Sequence, residues 1–419
     1  MGVRFSVPTE KSALPPRTWS KLQAIREADV LVGIPSYNCA HTINYVIYQV
    51  ANGLKEHFPD LKSIMIISDG GSTDGTLAVV KAMKIPGQTE LVTTRYVGIS
   101  GKGTAVKAIL EAAQYLSVKG MAMVDSDLRS ISPEWMELLL SPTIGDVELV
   151  TPLYLRHKYD GSITNFVCYP FTCSVYGRRV RQPIGGDFGL SAKLVETLLK
   201  SPLWNTSYVP RFGIDIFVTH TALGENFEAK QALLGLKTHE AKDPSKHLAS
   251  MFTEVVGSMF CCMEFFEKTW KPIRGSHTVP AISGKIESGS PEAVHVDPCE
   301  LLKAHKEGFR DNKDIYSKIL DRELFQEIEK LQTMDKNGFF FPTDVWARVA
   351  YSFAGGFRKK ETEKDRRRIL DALRFLWIGK VASFALETQE MDSEEAEEKI
   401  QEEGRVFEES KPYLLNVYR

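Results

Sequence analysis

The sequence predicts an α/β protein, with a doubly wound, mostly parallel sheet followed by a helical C-terminal extension. Three observations support this prediction. Short apolar runs of strand length alternate with segments of helical spacing through the first part of the chain, which is typical of a parallel sheet covered by helices. Polar clusters rich in turn-forming residues follow the apolar runs. Beyond about residue 246, long helical patterns replace the alternation.

The alternation can be followed along the chain. Residues 1–28 carry several prolines and no clear period, which indicates an N-terminal arm. Short apolar runs predict strands at residues 29–35, 63–68, 90–96, 121–125 and 148–155. Helical spacing predicts helices at residues 41–54, from residue 77, and at residues 104–116. The sheet domain is therefore expected to span residues 29–245, and the helical region residues 246–419.

The helical region has its own pattern. A stripe of methionine, phenylalanine and other apolar residues from Leu248 to Met263 has helical spacing, which indicates a core helix. Residues 271–298 are rich in proline, glycine and serine and indicate a linker. Further helices are predicted at residues 301–331, 344–357 and 366–387, and the acidic residues 393–403 indicate a solvated helix face.

Length and composition limit the class of protein. A chain of 419 residues predicts a large domain plus a second one. Its 43% hydrophobic and 25% charged residues are ordinary globular values, and a net charge of −2 gives no indication of nucleic-acid or anionic-membrane binding. The six cysteines contain no Cys-x-x-Cys pair, which favours a reducing compartment. We expect no stretch to be long and apolar enough to span a bilayer, and the N-terminus lacks an apolar signal region. The sequence therefore predicts a soluble, cytoplasmic protein.

Two carboxylates stand at the end of one predicted strand. The apolar residues 121–124 lead directly into Asp125 and Asp127, and α/β sheets bind ligands at the carboxyl ends of their strands. Residues two apart share a face of a strand, so both carboxylates can point into one crevice. Oxygen ligands arranged in this way suit Mg²⁺ or Mn²⁺, which then bridges the phosphates of a ligand. By itself the pattern is equally consistent with a solvated turn.

A glycine-rich turn at residues 98–104 leads into a predicted helix. It is not a Walker loop, because Gly103 stands where Ser or Thr would follow Lys102. The turn still offers backbone N–H groups and the positive end of a helix to a diphosphate, with Lys102 as a point charge. The alternative is an ordinary strand-to-helix turn.

Three further polar residues stand in apolar or tight contexts. A lone histidine such as His239 is usually structural, and a ligand role gains weight only if Asp125 and Asp127 leave a metal position open. Asp187 follows two glycines, and Asp215 follows Phe-Gly-Ile. A buried carboxylate needs hydrogen-bond partners, which either sugar hydroxyls or backbone amides can supply.

Taken together, these motifs resemble those of nucleotide-sugar glycosyltransferases of the GT-A fold. The resemblance is to the retaining enzymes that make mannosylglycerate, glucosylglycerate and glucosyl-3-phosphoglycerate, and it implies that residues 29–245 bind both the nucleotide sugar and the acceptor. The matching segments are residues 33–38 and 68–74 (nucleobase and ribose loops), 101–103 (diphosphate loop) and 125–127 (metal motif).

Further motifs indicate which of these enzymes the chain resembles most. The spacing of Arg156, Asp160, Ile163 and Thr164 resembles the acceptor segment of mannosylglycerate synthases. Residues 182–187 are similar to that group's loop beneath the transferred sugar, residues 212–215 to its Trp-Gly-Ile-Asp, and residues 237–239 to its Lys-Ala-His, whose histidine binds the metal. Because Asp187 replaces Glu and Phe212 replaces Trp, the identity of the hexose stays open. Ser162 stands where the phosphoglycerate enzymes carry an arginine, which favours an unphosphorylated acceptor.

The resemblance implies a metal-dependent hexosyltransferase. It would transfer a hexose, with glucose favoured, from an ADP-, GDP- or UDP-hexose to D-glycerate with retention, giving α-glucosylglycerate, and it would use Mg²⁺, Mn²⁺ or Co²⁺. The implied catalytic residues are Lys102, Asp187 and Asp215, and the implied metal ligands are Asp125, Asp127 and His239. The implied donor-binding residues are Pro35, Ser36, Tyr37, Asn38, Asp69, Gly101, Lys102, Asp125, Ser126, Ile184 and Asp187. The implied acceptor-binding residues are Arg156, Asp160, Ile163, Thr164, Asn165, Phe212 and Asp215.

Other functions stay open on the sequence. Within the class, the alternatives are a mannosylglycerate synthase and a glucosyl- or mannosyl-3-phosphoglycerate synthase. Outside it, a sugar-nucleotide pyrophosphorylase would open with a glycine-rich loop containing an arginine, which residues 33–38 lack. A non-catalytic sugar-nucleotide sensor could lose the metal set. The expected partners are small-molecule substrates, without nucleic acid or membrane, and a homodimer is left open.

Overall fold

Two compact units make up the part of the chain that the computed structural model describes, residues 12–238, 244–284 and 289–419. The first unit contains Met1–Leu155, Ile184–Lys242 and Val279–Pro291, and the second contains Arg156–Pro183, Asp243–Thr278 and Glu292–Arg419. The boundary predicted near residue 245 lies close to one crossing of the chain. Two segments differ from that prediction, because residues 156–183 fold with the helices and residues 279–284 and 289–291 fold with the sheet.

Strands and helices alternate in the first unit, and helices dominate the second. The strands are β1 (Val30–Ser36), β2 (Ser63–Asp69), β3 (Glu90–Arg95), β4 (Gly120–Met123), β5 (Leu149–Leu155), β6 (Arg178–Arg179), β7 (Phe188–Ser191), β8 (Ala229–Leu236), β9 (His277–Thr278) and β10 (Ala281–Ser283). The helices are α1 (Pro16–Ile25), α2 (Ile43–His57), α3 (Thr76–Ala82), α4 (Lys102–Tyr115), α5 (Glu134–Ile144), α6 (Tyr169–Tyr176), α7 (Ala192–Lys200), α8 (Ile214–Gly224), α9 (Pro244–Phe265), α10 (Glu267–Trp270), α11 (Pro298–Asp311), α12 (Lys313–Ile319), α13 (Arg322–Leu331), α14 (Thr343–Arg358), α15 (Glu363–Glu387), α16 (Ser393–Glu409) and α17 (Lys411–Val417).

The sheet of the first unit has the strand order β10-β8-β5-β7-β4-β1-β2-β3 among the described residues. Neighbouring strands are parallel except at β7, which is antiparallel to both β4 and β5. Sequence order and spatial order differ around β1, so the chain winds outward in both directions, and crevices form at the carboxyl ends of the strands where the direction changes. The predicted α/β fold with a mostly parallel sheet and a helical C-terminal region is confirmed.

Burial explains why the central strands read as continuous apolar runs. Every residue of β1 is buried, as is all of β2 after Ser63, because helices cover both faces of a parallel sheet. Helix α2 packs its predicted stripe onto this core, with Ile43, Val46, Ile47 and Val50 fully buried.

The predicted N-terminal arm contains a helix. Helix α1 begins at Pro16, and proline at the first position of a helix has a backbone angle already suited to it. Leu22 of this helix is fully buried, and Ala13 and Leu14 just before it are also buried. The carbonyl of Ala13 accepts a hydrogen bond from the N–H of Val97 at 2.8 Å. The described part of the arm is therefore packed against the sheet domain, which a sequence without helical period did not indicate.

Helix α9 forms core in the second unit, as its apolar stripe predicts. Phe252, Val256, Met259 and Met263 are fully buried. By length and composition alone, the window Leu248–Phe265 could cross a membrane, with a mean hydropathy of 1.3, and 67% of it is buried inside the protein. The expectation that no stretch is long and apolar enough to span a bilayer was therefore wrong on composition. The burial is that of a core helix, and a core helix can have the same length and composition as a membrane-spanning one.

Two other predicted segments differ in detail. The predicted linker at residues 271–298 contains β9 and β10, and β10 extends the sheet by pairing with β8. The predicted helix at residues 301–331 is divided into α11, α12 and α13. Asp321 accepts a hydrogen bond from the N–H of Leu324 and so begins a new helix, because a short polar side chain caps the free N–H groups of a first turn.

His305 of α11 is a fully buried histidine with both ring nitrogens engaged. Its Nδ1 lies 2.9 Å from the carbonyl oxygen of Phe375, and its Nε2 lies 3.0 Å from the side-chain nitrogen of Gln332. A carbonyl needs a donor and an amide N–H needs an acceptor, so these contacts fix the neutral tautomer with its proton on Nδ1. Burial lowers the pKa of His305 to about 4.

This histidine should make the stability of the protein depend on pH. The unfolded chain takes up a proton near pH 6.5, whereas folded His305 does so only near its pKa of about 4. The free energy of unfolding should therefore fall as the pH is lowered between these values, by up to about 3 kcal/mol from this residue at about 1.4 kcal/mol per pKa unit. Denaturant unfolding of the wild type and of His305→Gln between about pH 7 and pH 4 would isolate this contribution. Equal pH dependence of the two proteins would contradict it.

Candidate active site

The carboxyl ends of β1 and β2 carry a tightly bonded turn around Asp69, which is fully buried. Its Oδ1 accepts hydrogen bonds from the N–H groups of Gly71 at 2.8 Å and Ser72 at 2.9 Å. Its Oδ2 accepts from the hydroxyls of Ser36 at 3.2 Å and Ser72 at 2.6 Å. Since a carboxylate has about four acceptor positions, these hydrogen bonds fill those of Asp69 and fix the shape of the turn.

The predicted nucleobase loop after β1 lies beside this turn. Pro35 and Ser36 are buried in the strand, whereas Tyr37 and Asn38 are exposed. The N–H of Asn38 donates to the hydroxyl of Ser72 at 2.9 Å, and its side-chain oxygen accepts from the N–H of Thr73 at 2.9 Å. The two loops predicted to bind the nucleoside are therefore joined by hydrogen bonds and leave the Tyr37 ring in solvent.

Beyond β4, the carboxylate of Asp125 is held by two lysines. Lys102 Nζ lies 2.9 Å from Asp125 Oδ1 and 3.1 Å from Asp215 Oδ2. Lys237 Nζ lies 3.2 Å from Asp125 Oδ2. Three predicted site residues, Lys102, Asp125 and Asp215, are thus brought together. Lys237, noted in the sequence only as part of the Lys-Thr-His motif, is a fourth member.

Lys237 joins Asp125 to Asp187. Its Nζ lies 3.0 Å from Asp187 Oδ2 and donates to the carbonyl of Gly185 at 2.7 Å. Asp187 Oδ1 accepts from the N–H of Asp125 at 2.7 Å, and the hydroxyl of Tyr154 donates to Asp187 Oδ2. The antiparallel insertion of β7 causes this meeting, since it places Asp187 at the edge where β4 ends. Asp187 is fully buried and Lys237 is 6% exposed.

Burial and charge act in opposite directions in this lysine–aspartate cluster, defined as Lys102, Asp125, Asp187, Asp215 and Lys237. Burial raises the pKa of Asp187 and of Asp215, and the paired lysines act against that rise. Burial also disfavours the charged form of Lys102, but Asp125 and Asp215 outweigh it and raise the pKa of this lysine. Both ends of each ion pair are needed, because a buried charge left without its partner is strongly destabilising.

Asp215 has an unused oxygen. Its carboxylate lies in the first turn of α8, where the helix dipole favours negative charge. Lys102 contacts Oδ2, whereas Oδ1 is buried and has no hydrogen-bond partner among the described residues. Since buried polar atoms are normally hydrogen-bonded, this oxygen is suited to accept a hydrogen bond from a ligand hydroxyl. Phe212, also predicted at the acceptor side, lies half-buried three residues earlier.

The glycine-rich turn before α4 differs from the expectation of free N–H groups. The N–H of Gly101 donates to the hydroxyl of Tyr96, at 3.0 Å. The N–H groups of Gly103 and Thr104 donate to the carbonyls of Arg211 and Pro210, at 3.0 and 2.9 Å. A Cβ on Gly103 would lie 1.9 Å from the carbonyl oxygen of Val209, so this glycine permits close backbone packing. The turn therefore serves to place Lys102, while these three N–H groups are already engaged.

The predicted metal set is only partly within the described residues. Asp125 and Asp127 are described, whereas His239 lies outside the described residues. No group of three or more His, Cys, Asp or Glu side chains in the described part of the chain is arranged to hold a metal ion. Mg²⁺ commonly binds through one or two carboxylates together with substrate phosphates, so the donor set of Asp125 and Asp127 fits such a cation in type. Lys102 and Lys237 would share the Asp125 carboxylate with it.

The predicted acceptor segment belongs to the second unit. Arg156 Nη1 lies 3.8 Å from Asp160 Oδ2, and both residues are half-buried. Ile163, Thr164 and Asn165 are buried, and the Asn165 side chain donates to the carbonyl of Asp160 at 3.1 Å. Arg156 and Asp160 are thus the more accessible members, and acceptor contacts by Ile163, Thr164 and Asn165 stay predictions.

Helix α15 holds this segment in place. The ammonium group of Lys158 donates to the carbonyls of Thr388 at 2.6 Å and Met391 at 2.5 Å, just after the helix ends. Cations are favourable near the carboxyl end of a helix. The hydroxyl of Tyr159 donates to the carbonyl of Ala385 at 3.3 Å, and Trp377 Nε1 donates to the carbonyl of Ser162 at 3.3 Å. This role of Lys158 could not be predicted from the sequence, since contacts more than 200 residues apart leave no local pattern.

Comparison with known families adds one finding. Residues 31–167 match the family model of glycosyl transferase family 2. The match spans about a third of the chain and includes Asp69, Lys102, Asp125 and Asp127. It confirms over this segment the glycosyltransferase resemblance noted from the motifs. A comparison with curated proteins finds no match.

Solved structures of glucosyl-3-phosphoglycerate synthase from Mycobacterium tuberculosis are similar to the chain. The complex with Mn²⁺, uridine diphosphate and glucosyl-3-phosphoglycerate is 24% identical, with a TM-score of 0.44, over 59% of this chain and 85% of that one. A complex with Mn²⁺, uridine-diphosphate-glucose and phosphoglyceric acid is 25% identical, with a TM-score of 0.45, over 60% of this chain and 85% of that one. The complex with Mg²⁺ and uridine diphosphate is 23% identical, with a TM-score of 0.45, over 58% of this chain and 82% of that one.

Removal of the lysine between Asp125 and Asp187 should destabilise the protein. Lys237→Met leaves two carboxylates without their shared cation, and breaking a buried ion pair in this way costs about 3–5 kcal/mol of unfolding free energy. Lys200→Met is the matched control, because Lys200 pairs with Glu196 on the surface, where its side chain is 70% exposed, and should change stability little. Urea unfolding measures both. Equal effects of the two substitutions would show that Lys237 has no special structural role.

Proposed function

We propose that this protein is a retaining hexosyltransferase that transfers a hexose, with glucose favoured, from an NDP-sugar to D-glycerate. The observation that carries the proposal is the lysine–aspartate cluster at the carboxyl ends of the strands, in which Lys102 and Lys237 flank Asp125. The match of residues 31–167 to glycosyl transferase family 2 supports the reaction type. The choice of acceptor and the retention of the α configuration come from the resemblance of the motifs.

In this proposal Lys102 stabilises the departing diphosphate. Preorganised positive charge at the point where negative charge develops is usually the largest catalytic contribution. A divalent cation, Mg²⁺, Mn²⁺ or Co²⁺, would be held by Asp127 with Asp125 and His239, and when bound it would neutralise part of the same charge. Lys102 turns from Asp125 toward the phosphates and keeps its contact with Asp215. Lys237 keeps Asp187 in place beneath the hexose.

Asp215 positions hydroxyl groups through its unused oxygen. The buried Oδ1 accepts a hydrogen bond from an acceptor or sugar hydroxyl, while Oδ2 stays with Lys102. No side chain of the cluster is proposed as a covalent nucleophile, since Asp187 is buried behind Lys237 and Tyr154. The acceptor hydroxyl therefore attacks the face from which the diphosphate leaves, and a phosphate oxygen of the donor takes its proton.

Arg156 binds the acceptor carboxylate in this proposal. Its guanidinium presents two parallel N–H donors, which match the two oxygens of a carboxylate. Asp160 lies beside it and accepts from an acceptor hydroxyl, whereas a phosphate near Asp160 would meet like charge. The Ser162 carbonyl accepts from Trp377, and the serine offers no cation for a phosphate. Glycerate is therefore preferred over 3-phosphoglycerate. We also propose that the reaction takes place in the cytoplasm.

A matrix of donors and acceptors tests the proposed function. The full-length protein is incubated with UDP-, GDP- and ADP-linked glucose and mannose, each with glycerate and with 3-phosphoglycerate, and NMR identifies the anomer of any product. A glucosylated glycerate with the α configuration is expected, and activity should disappear with excess chelator and return with Mg²⁺ or Mn²⁺. Pyrophosphate release or binding without transfer would identify a pyrophosphorylase or a sensor, and better use of 3-phosphoglycerate would overturn the acceptor assignment.

Loss of the Lys158 contacts should affect the acceptor and not the donor. Lys158→Met frees the acceptor segment from the end of α15, and charge-assisted hydrogen bonds of about 1.5–3 kcal/mol correspond to a rise in the acceptor KM of roughly tenfold or more. Arg156→Lys, which keeps the charge and loses the planar fork, should give the same separation of the two KM values. Lys399→Met, an exposed lysine on α16, is the control. A rise in the donor KM of the same size would contradict the assignment.

A further inference from the structure

Five residues adjoin one another at the carboxyl ends of β1, β2 and β3. A Cβ placed on Gly70 would lie 3.2 Å from Cδ2 of Tyr37 and 3.4 Å from the hydroxyl of Tyr96. A Cβ placed on Gly71 would lie 2.6 Å from Nη2 of Arg95. Tyr37, Arg95 and Tyr96 therefore surround the backbone of the Gly70–Gly71 turn. Neither Arg95 nor Tyr96 was singled out from the sequence.

The guanidinium of Arg95 has unused donors. Within residues 12–238, 244–284 and 289–419, no hydrogen bond or ion pair to its side chain is present. Asp69 is the carboxylate that faces Arg95 across the strand register, but four donors from Gly71, Ser72 and Ser36 already occupy its oxygens. Arg95 has up to five N–H donors and no acceptor, so its chemistry selects a ligand group that offers acceptors side by side.

The exposed ring of Tyr37 supplies a second feature of the same surface. It is 65% exposed, and the hydrogen bonds of Asn38 to Ser72 and Thr73 hold the loop that carries it. An exposed aromatic face stacks on any nucleobase, because every base has a π face. Tyr37 and Arg95 lie against the consecutive glycines Gly70 and Gly71, whose lack of a Cβ leaves the room that these two side chains occupy. The aromatic ring and the donor fork therefore lie on one surface.

We propose that Arg95 selects guanine as the base of the nucleotide donor. Guanine presents two adjacent acceptors, O6 and N7, to which arginine bonds through both N–H groups of its fork. Adenine presents an acceptor beside a donor, and uracil presents O4 without a neighbouring acceptor, so neither takes both bonds. Tyr37 stacks on the base without distinguishing it. This inference rests on the proposed function only in that the nucleotide is the donor's; it adds which nucleotide is bound.

Direct binding of free nucleotides tests the inference without requiring transfer activity. Isothermal titration calorimetry in the presence of Mg²⁺ measures GDP, UDP and ADP on the full-length wild type, Arg95→Gln, Arg95→Lys and Tyr37→Ala. The wild type should bind GDP at least about tenfold more tightly than UDP or ADP, as one bidentate base contact allows. Both Arg95 variants should lose most of that preference and keep their affinity for UDP, since lysine lacks the fork. Tyr37→Ala should weaken binding of all three nucleotides.

One control variant tests whether losing any arginine of this unit affects binding, and several outcomes would contradict the inference. Arg17→Gln removes an exposed arginine of the same unit and should leave all three affinities unchanged, and thermal unfolding checks that each variant is folded. Tighter or equal binding of UDP or ADP by the wild type would overturn the inference, whatever the variants do. An equal loss of affinity for all three nucleotides in Arg95→Gln would indicate that Arg95 contacts the phosphates, and it would also overturn the inference. GDP preference without any glycosyl transfer would reject the proposed function alone, and absence of nucleotide binding would reject both.

Discussion

The candidate site depends on the sharing of one carboxylate between two lysines. Asp125 accepts Lys102 on one oxygen and Lys237 on the other, and each lysine reaches a further buried carboxylate, Asp215 or Asp187. Such an arrangement is stable only when every member is present, since an unpaired buried charge costs more than the pair contributes. The cluster therefore ties the end of β4 to the first turns of α4 and α8 and to the segment before β7.

Close backbone packing makes this charge arrangement reachable. Lys102 and Asp215 both stand in the first turns of helices, α4 and α8. Those helix ends can approach because Gly101 and Gly103 carry no Cβ, and because carbonyls of Pro210 and Arg211 accept the N–H groups of the α4 turn. The glycines that suggest a phosphate loop in the sequence thus have a structural role, and phosphate binding by Lys102 stays a proposal.

Sequence patterns predict the parts of this protein that depend on local regularity. The strands that end at Asp69 and just before Asp125 were found because buried parallel strands are continuously apolar. The pairing of Lys237 with Asp187 could not be read in this way, because it depends on an antiparallel strand of four residues, Phe188–Ser191, too short for a distinctive period. The assignment of residues 156–183 to the second unit likewise depends on contacts distant in sequence, such as Lys158 with the end of α15. His239 stays a prediction, since it lies outside the described residues.

The charge of the lysine–aspartate cluster limits what can bind beside it. With its three carboxylates and two ammonium groups all ionised, the cluster carries a formal charge of −1. A diphosphate brings further negative charge, so its approach is favourable only if an ammonium group turns from its carboxylate, a carboxylate takes up a proton, or a cation accompanies the ligand. Burial, which raises the pKa of Asp187 and Asp215, favours uptake of a proton by a carboxylate.

The two lysines differ in how readily they can turn toward a ligand. Lys102 can turn from its carboxylate, because it is the more exposed of the two lysines, 17% against 6%. Lys237 is held by Gly185 as well as by two carboxylates, so it is better suited to keep the carboxylates in position while Lys102 moves to the ligand.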